Sequence, residues 1–312
     1  MITLADVEAA RARLGDQIRH TPLIAADNLS APITDAALYL KLECLQATGS
    51  FKARGATNRL LATPRDQLAN GIVAASGGNH GVAVARTGKL ADVTTHIFVP
   101  RNINPSKLDK LQRWGAKVEL VGDVFDDANR AAQAYAREIG AIYFHPFADP
   151  LVVAGQGTLA LEILDELPDV DTFLIAIGGG GLIGGMGTAI RALRPEARII
   201  GIEPVGCPTL KASLDAGHVV TIDKITTRVP TMSCARTDDR VFDLVRSVVD
   251  DIVLIDDAAM EDAARWLWFE LGIAADLSGA AAAAALKSGA VAVKPGEKVL
   301  ALVCGAGPDG IG

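Results

Sequence analysis

The stretch TFLIAIGGGGLIGGMGTAIRAL, residues 172–193, decides the fold of this 312-residue chain. It begins as an apolar run typical of a buried strand, passes through four consecutive glycines, Gly178 to Gly181, and ends in a helical pattern. Four glycines in a row cost more chain entropy than a simple packing turn requires. Free backbone amides in such a turn, together with the N-terminus of the following helix, form a site for an anion. The stretch therefore predicts a strand–turn–helix unit that binds a phosphate.

Apolar runs and helical patterns alternate along most of the chain. Further buried strands are predicted at residues 71–76, 95–100, 117–122, 198–204, 251–256 and 298–305. Helical patterns lie between them, for example at residues 104–115, 123–140 and 258–272. Because strands that alternate with helices form parallel sheets covered by helices, we predict an α/β fold. No long linker separates two halves, so a second domain would have to be inserted within the first.

Composition and charge restrict the classes of protein to consider. Half of the residues are apolar and 21% are charged, as in soluble globular proteins. The net charge of −7, without a basic run, predicts no nucleic-acid partner and no membrane partner. The cysteines are far apart in sequence, which favours a reducing compartment. The N-terminus lacks a signal-peptide pattern, and few residues follow the last predicted strand. We therefore expect a cytoplasmic protein without an appended regulatory domain.

The glycine cluster has a second interpretation. Gly179, Gly181 and Gly184 satisfy the pattern G-x-G-x-x-G, and Glu203 ends the next predicted strand, about where an acid that binds a ribose hydroxyl belongs. The chain would then be a nicotinamide-dinucleotide oxidoreductase. This pattern alone is weakly specific, lies past the middle of the chain, and gives no role to Lys52.

Lys52 lies in the stretch TGSFKARGATNRL, residues 48–60, where an ordinary surface helix would leave it solvated. A lysine can form a Schiff base with an aldehyde, and pyridoxal phosphate is an aldehyde cofactor that carries a phosphate. Two other stretches supply polar turns at predicted strand ends: ASGGNHGVAVA, residues 75–85, and VCGAGPDG, residues 303–310. Ligands of open α/β sheets bind at such strand ends. Asn79, in the first of these turns, could also serve only as a helix cap.

Five motifs together resemble a known family. They are KLECLQATGSFKARGA (41–56), ASGGNHG (75–81), HPFADPLVVAGQGTLALEIL (145–164), GGGGLIGG (178–185) and LVCGAGPDG (302–310). In order and spacing they are similar to the serine/threonine dehydratases, which belong to the fold-type II, tryptophan-synthase-β-like pyridoxal-phosphate enzymes together with serine racemase. The resemblance extends from about Thr21 to the C-terminus.

The resemblance implies an architecture and a role for each site residue. The fold would have two α/β lobes with mostly parallel open sheets: a large domain of residues 1–70 and 149–312, and a small inserted domain of residues 71–148. Lys52 would hold pyridoxal phosphate covalently. The remaining implied cofactor ligands are Phe51 beside the ring, Asn79 on the ring hydroxyl, Gly178, Gly179, Gly180, Gly181 and Leu182 on the phosphate, and Cys304 at the pyridine nitrogen. The implied ligands of the substrate carboxylate are Ser76, Gly77, Gly78, Asn79 and His80. A homodimer is the family expectation.

The implied reaction is β-elimination from a small β-hydroxy amino acid such as L-threonine or L-serine, giving a 2-oxo acid and ammonia. Lys52 would remove the α-proton as general base. Other reactions on the same fold stay open: dehydration of 3-hydroxyaspartate, threonine synthesis, or β-replacement, whose enzymes tend to carry an acidic residue after the lysine where this chain has Ala53. A non-catalytic amino-acid sensor would not need Lys52.

The sequence departs from the family pattern at several positions. Gly77 stands where serine racemase has a serine that acts as its second acid/base, so we expect little racemase activity. Glu203 is the sole candidate metal ligand, because the acid expected six residues later is Thr209, a weaker ligand; we therefore predict no divalent cation. Phe147 replaces an Asn of some relatives, and Asp276 replaces the usual glutamate before the last helix.

Overall fold

The computed structural model describes residues 2–311, and its strands form two sheets. The larger sheet contains, in spatial order, β1 (Leu23–Ala25), β2 (Ala37–Lys41), β10 (Lys298–Leu302), β7 (Thr172–Ala176), β8 (Arg198–Pro204) and β9 (Asp251–Ile255). The smaller sheet contains β5 (Lys117–Leu120), β4 (Thr95–Val99), β3 (Ile72–Ala75) and β6 (Ile142–Tyr143). Strands β1 and β2 pair antiparallel, and the other described pairs are parallel. The predicted α/β fold with mostly parallel open sheets is confirmed.

Helices connect and cover these strands. In chain order they are α1 (Leu4–Leu14), α2 (Lys52–Leu61), α3 (Asn79–Leu90), α4 (Pro105–Arg113), α5 (Phe125–Ile139), α6 (Pro150–Glu166), α7 (Gly181–Leu193), α8 (Thr209–Ala216), α9 (Asp239–Val248), α10 (Asp257–Leu271) and α11 (Leu277–Lys287). Within residues 2–311, no helix combines the length and the apolar character needed to cross a bilayer.

The smaller sheet has an apolar core on each face, because successive side chains of a strand point to opposite sides. Ile72 and Ala74 of β3 join the core that includes Val82 of α3 and Leu111 of α4, whereas Val73 and Ala75 pack with the alanines of α5. All four strands of this sheet lie between residues 71 and 148. The exact limits of an inserted domain stay a prediction.

The larger sheet is also covered by helices. Helix α11 contacts β7, β8, β9 and β10, and α7 packs against β7 and against α6. The Ala-rich run of α11 is buried, since small side chains let the helix approach the sheet closely. Strands β7 and β10 are neighbours in the middle of the sheet, so the segments that follow them emerge side by side at its carboxyl edge.

A buried ionic network fixes α2 to the larger sheet. The guanidinium of Arg54 forms paired hydrogen bonds with Glu43, both at 2.8 Å, and with Glu162, at 2.6 and 2.8 Å. The ammonium of Lys41 lies 2.9 Å from Glu166 and 3.2 Å from Glu162. The side chains of Lys41, Glu43 and Arg54 are fully buried. Helix α2 is therefore held to β2 and to α6, which fixes the start of the helix.

Candidate active site

Lys52 is the first residue of α2, and the segment before it is joined to the end of β10. Ser50 forms an antiparallel bridge with Gly305, and the backbone amide of Phe51 donates to the carbonyl oxygen of Cys304 at 3.2 Å. The carboxyl edge of the larger sheet therefore sets where the lysine side chain starts.

The Lys52 amine points into a largely enclosed space. Its Nζ donates a hydrogen bond to the carbonyl oxygen of Pro146 at 2.7 Å and lies 5.1 Å from the centre of the Phe51 ring. Burial lowers the pKa of Lys52 to about 8, although the nearby thiols of Cys234 and Cys304 act in the opposite direction. About a tenth of this lysine is therefore neutral, and hence nucleophilic, at pH 7, a far larger fraction than an ordinary lysine has.

The glycine loop, residues 178–182, presents a row of free amides at the start of α7. Among the described residues the backbone amides of the loop form no hydrogen bond; they belong to Gly178, Gly179, Gly180, Gly181 and Leu182. Gly180 has φ +93°, which favours glycine, and it directly precedes the helix. Unpaired amides at a helix N-terminus are donors for an anion, so the geometry supports the predicted phosphate cradle.

Phe147 packs directly on this cradle. A Cβ atom added to Gly179 would overlap the Phe147 ring, and one added to Gly181 would lie 2.8 Å from the Phe147 carbonyl oxygen. Pro146, the residue before Phe147, is the hydrogen-bond partner of Lys52. The Pro146–Phe147 segment therefore contacts the lysine and the glycine loop at once, and so brings the two main sequence predictions into one site.

The loop from Ser76 to His80 follows β3 and leads into α3. The amide of Gly78 donates to the Ser76 hydroxyl at 3.2 Å, whereas the amides of Ser76, Gly77, Asn79 and His80 have no acceptor among residues 2–311. These free donors fit the predicted binding of a carboxylate. Gly77 has little room for a side chain, because an added Cβ would lie 2.9 Å from Cδ1 of Ile103.

His80 of this loop is buried and neutral. One ring nitrogen, Nε2, lies 3.0 Å from the carbonyl oxygen of Phe144, and the other has no partner among the described residues. Burial, reinforced by the charge of Lys52, lowers the pKa of His80 to about 3. The ring therefore donates from Nε2 and leaves Nδ1 as an acceptor.

Cys304 follows β10 and is 2% exposed. Its thiol donates to the carbonyl oxygen of Ser278 at 3.4 Å. Burial raises the pKa of Cys304 far above its usual range, so the group is a neutral thiol. A neutral thiol is the state expected for a weak partner of a pyridine nitrogen.

Two further residues lie at this site to which the sequence analysis assigned no role. Asp276 accepts a hydrogen bond from the Asn79 side chain at 3.2 Å, across 197 residues of chain. Cys234 is close enough for its charge state to influence the pKa of Lys52. Asp276 could have been found from the sequence, because it replaces a glutamate of the family pattern. No pattern in the sequence points to Cys234.

Glu203, the weak candidate for a metal ligand, caps a helix in the structure. Its two carboxylate oxygens accept from the backbone amides of Leu210 and Lys211, both at 2.8 Å, so it caps α8. Burial raises the pKa of Glu203 to about 7, against these amide hydrogen bonds, which lower it. Within the described part of the chain no cluster of three His, Cys, Asp or Glu side chains could hold a metal ion.

Comparison with known proteins places the chain in a family. The family model described as pyridoxal-phosphate dependent enzyme matches residues 14–305. An L-threonine ammonia-lyase of Thermotoga maritima is 37% identical over 309 residues, which cover 99% of this chain and 76% of that protein. One of Geobacter sulfurreducens is 40% identical over 257 residues, covering 82% of this chain and 64% of that protein. The chain belongs to the pyridoxal-phosphate dependent enzymes.

Solved structures agree with this assignment. Maize serine racemase superposes with a TM-score of 0.93 at 31% identity, covering 97% of this chain and 93% of that one. The processed form of threonine deaminase isoform 2 from Solanum lycopersicum gives a TM-score of 0.91 at 31% identity, covering 97% of this chain and 83% of that one. The two-lobed fold-type II architecture implied by the sequence is therefore confirmed.

The residues present fit pyridoxal phosphate. The glycine loop offers amide donors for its phosphate, and Lys52 offers a partly neutral amine for its aldehyde. Thr48 Oγ1, Ser50 Oγ and His80 Nδ1 are buried polar atoms without a partner among the described residues, all at or near the start of α2 or α3. Arg86, His96 and Gln156 also carry such atoms. Buried polar groups without partners are rare in folded proteins, and those of Ser50 and His80, close to Lys52 and Asn79 in sequence, suit a polar ligand.

Proposed function

We propose that this chain is an ammonia-lyase that converts a small β-hydroxy amino acid to a 2-oxo acid and ammonium. The favoured substrate is L-threonine, which would give 2-oxobutanoate, and L-serine would give pyruvate. The relatives named L-threonine ammonia-lyase support this choice. The structural observation that carries it is the contact of the Pro146–Phe147 segment with both Lys52 and the glycine loop.

Pyridoxal phosphate, when bound, supplies the electron sink that makes the α-proton of an amino acid removable. Lys52 is the base that takes this proton, because its pKa of about 8 leaves a neutral fraction near neutral pH. Its contact with the Pro146 carbonyl holds the amine in place. The proton on Lys52 is then available to the departing β-hydroxyl. One water leaves in this step and one is consumed in hydrolysis, so the net products are the 2-oxo acid and ammonium.

The Ser76–His80 loop binds and orients the substrate carboxylate. Its free amides provide the donors, and His80 adds no positive charge because burial lowers its pKa to about 3. Binding the carboxylate fixes how the rest of the amino acid lies relative to Lys52. The choice between the β-carbons of serine and threonine then depends on the side chains around that carbon.

The neutral thiol of Cys304 favours β-elimination over reactions that need a long-lived carbanion. Its neutral thiol cannot stabilise a protonated pyridine nitrogen as a carboxylate would, so the electron sink is weaker. A weaker sink suits prompt departure of the β-hydroxyl more than a long-lived carbanion.

Racemisation of serine is the second candidate, because maize serine racemase has a closely similar fold. Gly77 argues against it, since it has no hydroxyl to return a proton from the opposite face. Dehydration of 3-hydroxyaspartate stays a further possibility for the same residues.

We also propose that the enzyme is a cytoplasmic homodimer with an inserted domain of residues 71–148. The four cysteines are free thiols, which supports a reducing compartment. Phe269 of α10 is 80% exposed and its neighbour Trp268 is 43% exposed, as expected for side chains covered by a second copy of the chain.

The test is a comparison of the purified wild type with Lys52→Ala. We expect the wild type to bind pyridoxal phosphate with a visible absorbance band and to release 2-oxobutanoate and ammonium from L-threonine. Lys52→Ala should lose the covalent band and at least about a thousandfold in activity, since it removes both the nucleophile and the base. The control is Lys89→Ala, an exposed lysine on α3 that donates to the Arg113 carbonyl, which should leave both properties unchanged. A colourless wild type that cannot be reconstituted would refute the proposal, and dinucleotide binding would then be measured.

A further inference from the structure

Asp276 lies between two predicted ligands of the cofactor. One oxygen, Oδ2, accepts from Asn79 Nδ2 at 3.2 Å. The other, Oδ1, accepts from the Ser278 hydroxyl at 2.6 Å and from the Gly279 amide at 2.7 Å. Ser278 is also the acceptor of the Cys304 thiol. Asp276 thus connects the residue predicted on the ring hydroxyl with the one predicted at the ring nitrogen.

Glycines on two sides hold this carboxylate in place. A Cβ added to Gly305 would lie 2.6 Å from Oδ2 of Asp276, and one added to Gly307 would lie 2.7 Å from the Asp276 Cβ. The backbone amide of Asp276 donates to the Gly305 carbonyl at 3.0 Å. The chain after β10 is therefore shaped around Asp276, whose side chain has little freedom to move.

This arrangement selects one orientation of the Asn79 amide. A side-chain amide can turn either its oxygen or its nitrogen toward a neighbour. Burial raises the pKa of Asp276, whereas the hydrogen bonds that it accepts from Ser278, Gly279 and Asn79 favour the ionised form, which can only accept. The NH₂ group of Asn79 must therefore face Asp276, and one of its two N–H bonds remains free.

We propose that Asp276 is a positioning residue, which holds the Asn79 amide so that its second N–H donates to the ring hydroxyl oxygen of pyridoxal phosphate. This inference rests on the proposed function, because it concerns the same cofactor. A donor aimed at that oxygen stabilises its ionised form. Asp276 acts on the cofactor only through Asn79.

The other titratable groups around Asp276 come from three segments. Asp309 of the C-terminal turn accepts from the Leu277 amide at 3.0 Å and adds negative charge. Cys304 after β10 and Cys44 of the segment after β2 also face it, and burial raises the pKa of both thiols. Asp309 is thus the other charged neighbour to control for in a pH titration.

The test uses Asp276→Asn, which removes the fixed acceptor but keeps a residue that caps α11 equally well. The cap keeps the oxygen of an asparagine at 276 on the Gly279 amide, so its NH₂ group faces Asn79 and the Asn79 amide has to turn over. In the reconstituted enzyme, the pH midpoint of the visible band should rise by about one unit. The dissociation constant for pyridoxal phosphate should rise about tenfold. Both changes are of the size expected for the loss of one hydrogen bond to a charged group. Asp256→Asn, the same change at the N-cap of α10, should change neither quantity.

The decisive comparison is a double-mutant cycle with Asn79→Ala. If Asp276 acts through Asn79, adding Asp276→Asn to Asn79→Ala should change the midpoint by less than about 0.2 unit, since contacting residues that act as one unit are not additive. Additive effects, or a wild-type midpoint in Asp276→Asn, would overturn the inference. If Asp276→Asn does not fold, Asp276→Ser takes its place, because serine also caps a helix but is too short to reach Asn79. A wild type that binds no pyridoxal phosphate would instead refute the proposed function.

Discussion

The ammonium of Lys52 donates to the carbonyl oxygen of Pro146 at 2.7 Å, and this contact orients the reactive lysine before any cofactor is bound. A carbonyl oxygen accepts from an amine in either protonation state, so the orientation is kept when Lys52 loses its proton. Phe147, the next residue along, covers the glycine loop. A single turn between β6 and α6 therefore sets the distance between the nucleophile and the phosphate cradle.

The reactivity of Lys52 should depend on pH with a midpoint near 8. Burial lowers its pKa from 10.5 to about 8, so below pH 8 the amine is mostly charged and cannot attack an aldehyde. The rate at which apoenzyme forms the visible band with pyridoxal phosphate should rise as the pH passes 8 and level off above it. A lysine-containing model peptide, measured in parallel, should show its midpoint close to the ordinary value of ~10.4. A protein midpoint at that same value would mean that Lys52 is not desolvated.

Gly179→Ala should weaken cofactor binding, because the added methyl group overlaps the Phe147 ring and pushes it or the loop aside. We expect the dissociation constant for pyridoxal phosphate to rise at least about tenfold, equivalent to about 1.4 kcal/mol. Gly184→Ala, where the nearest atom is Cδ2 of Leu244 at 3.1 Å, lies in the first turn of α7 and should have a much smaller effect. The double change Gly179→Ala with Phe147→Ala should recover part of the affinity, and a failure to do so would mean that the overlap is not the cause.

Gly77→Ser should introduce some racemisation by supplying a hydroxyl on the face opposite Lys52. An added Cβ meets Cδ1 of Ile103 at 2.9 Å, so the change is expected to work better with Ile103→Val. The measurement is D-serine formed from L-serine, divided by the pyruvate formed in the same time. We expect this ratio to rise at least about tenfold in the double variant, which corresponds to roughly 1.4 kcal/mol between the two barriers. A wild type that already racemises serine rapidly would contradict the role assigned to Gly77.

Glu203→Gln should lower stability without changing the response to metal ions. Both oxygens of Glu203 accept backbone amides of α8, and glutamine can satisfy only one of them. One buried amide is left without a partner, which should reduce the free energy of unfolding by about 1–3 kcal/mol. Adding Mg²⁺ or Mn²⁺ should not raise the melting temperature of the wild type. A cation-dependent rise that Glu203→Gln abolishes would instead identify Glu203 as a metal ligand.

Much of the fold could be predicted from the sequence, because most of its strands are apolar runs bounded by turn residues or by helical patterns. The predicted runs correspond to β3, β4, β5, β7, β8, β9 and β10. The predicted burial of β5 was wrong, because this strand forms an edge of the smaller sheet and leaves Lys117, Glu119 and Leu120 exposed. The short strands β1, β2 and β6 were missed, since three to five residues with mixed exposure, or only two, carry no clear period. The helical pattern predicted at residues 123–140 begins in the structure at Phe125, with Asp126 and Asp127 in its first turn, where carboxylates interact favourably with the helix dipole.

The residues of the candidate site were also predictable only in part. Lys52, Asn79 and the glycine loop belong to local motifs, so the sequence could single them out, although their ligand roles stay predictions. The contact between Asn79 and Asp276 could not be predicted, because it joins the start of α3, beside the smaller sheet, to the start of α11, beside the larger one. Its existence depends on how the two sheets are placed, which no local pattern encodes.

The ionic network under α2 has a consequence for how this enzyme can diverge. Replacing only Arg54 would leave Glu43 as a buried carboxylate without its cation, and breaking a buried pair in this way costs about 3–5 kcal/mol. Losing Lys41 would remove a cation from Glu162 and Glu166. A single substitution at any of these positions therefore lowers stability until a second substitution compensates for it. In an alignment of relatives, the five positions should covary as one group.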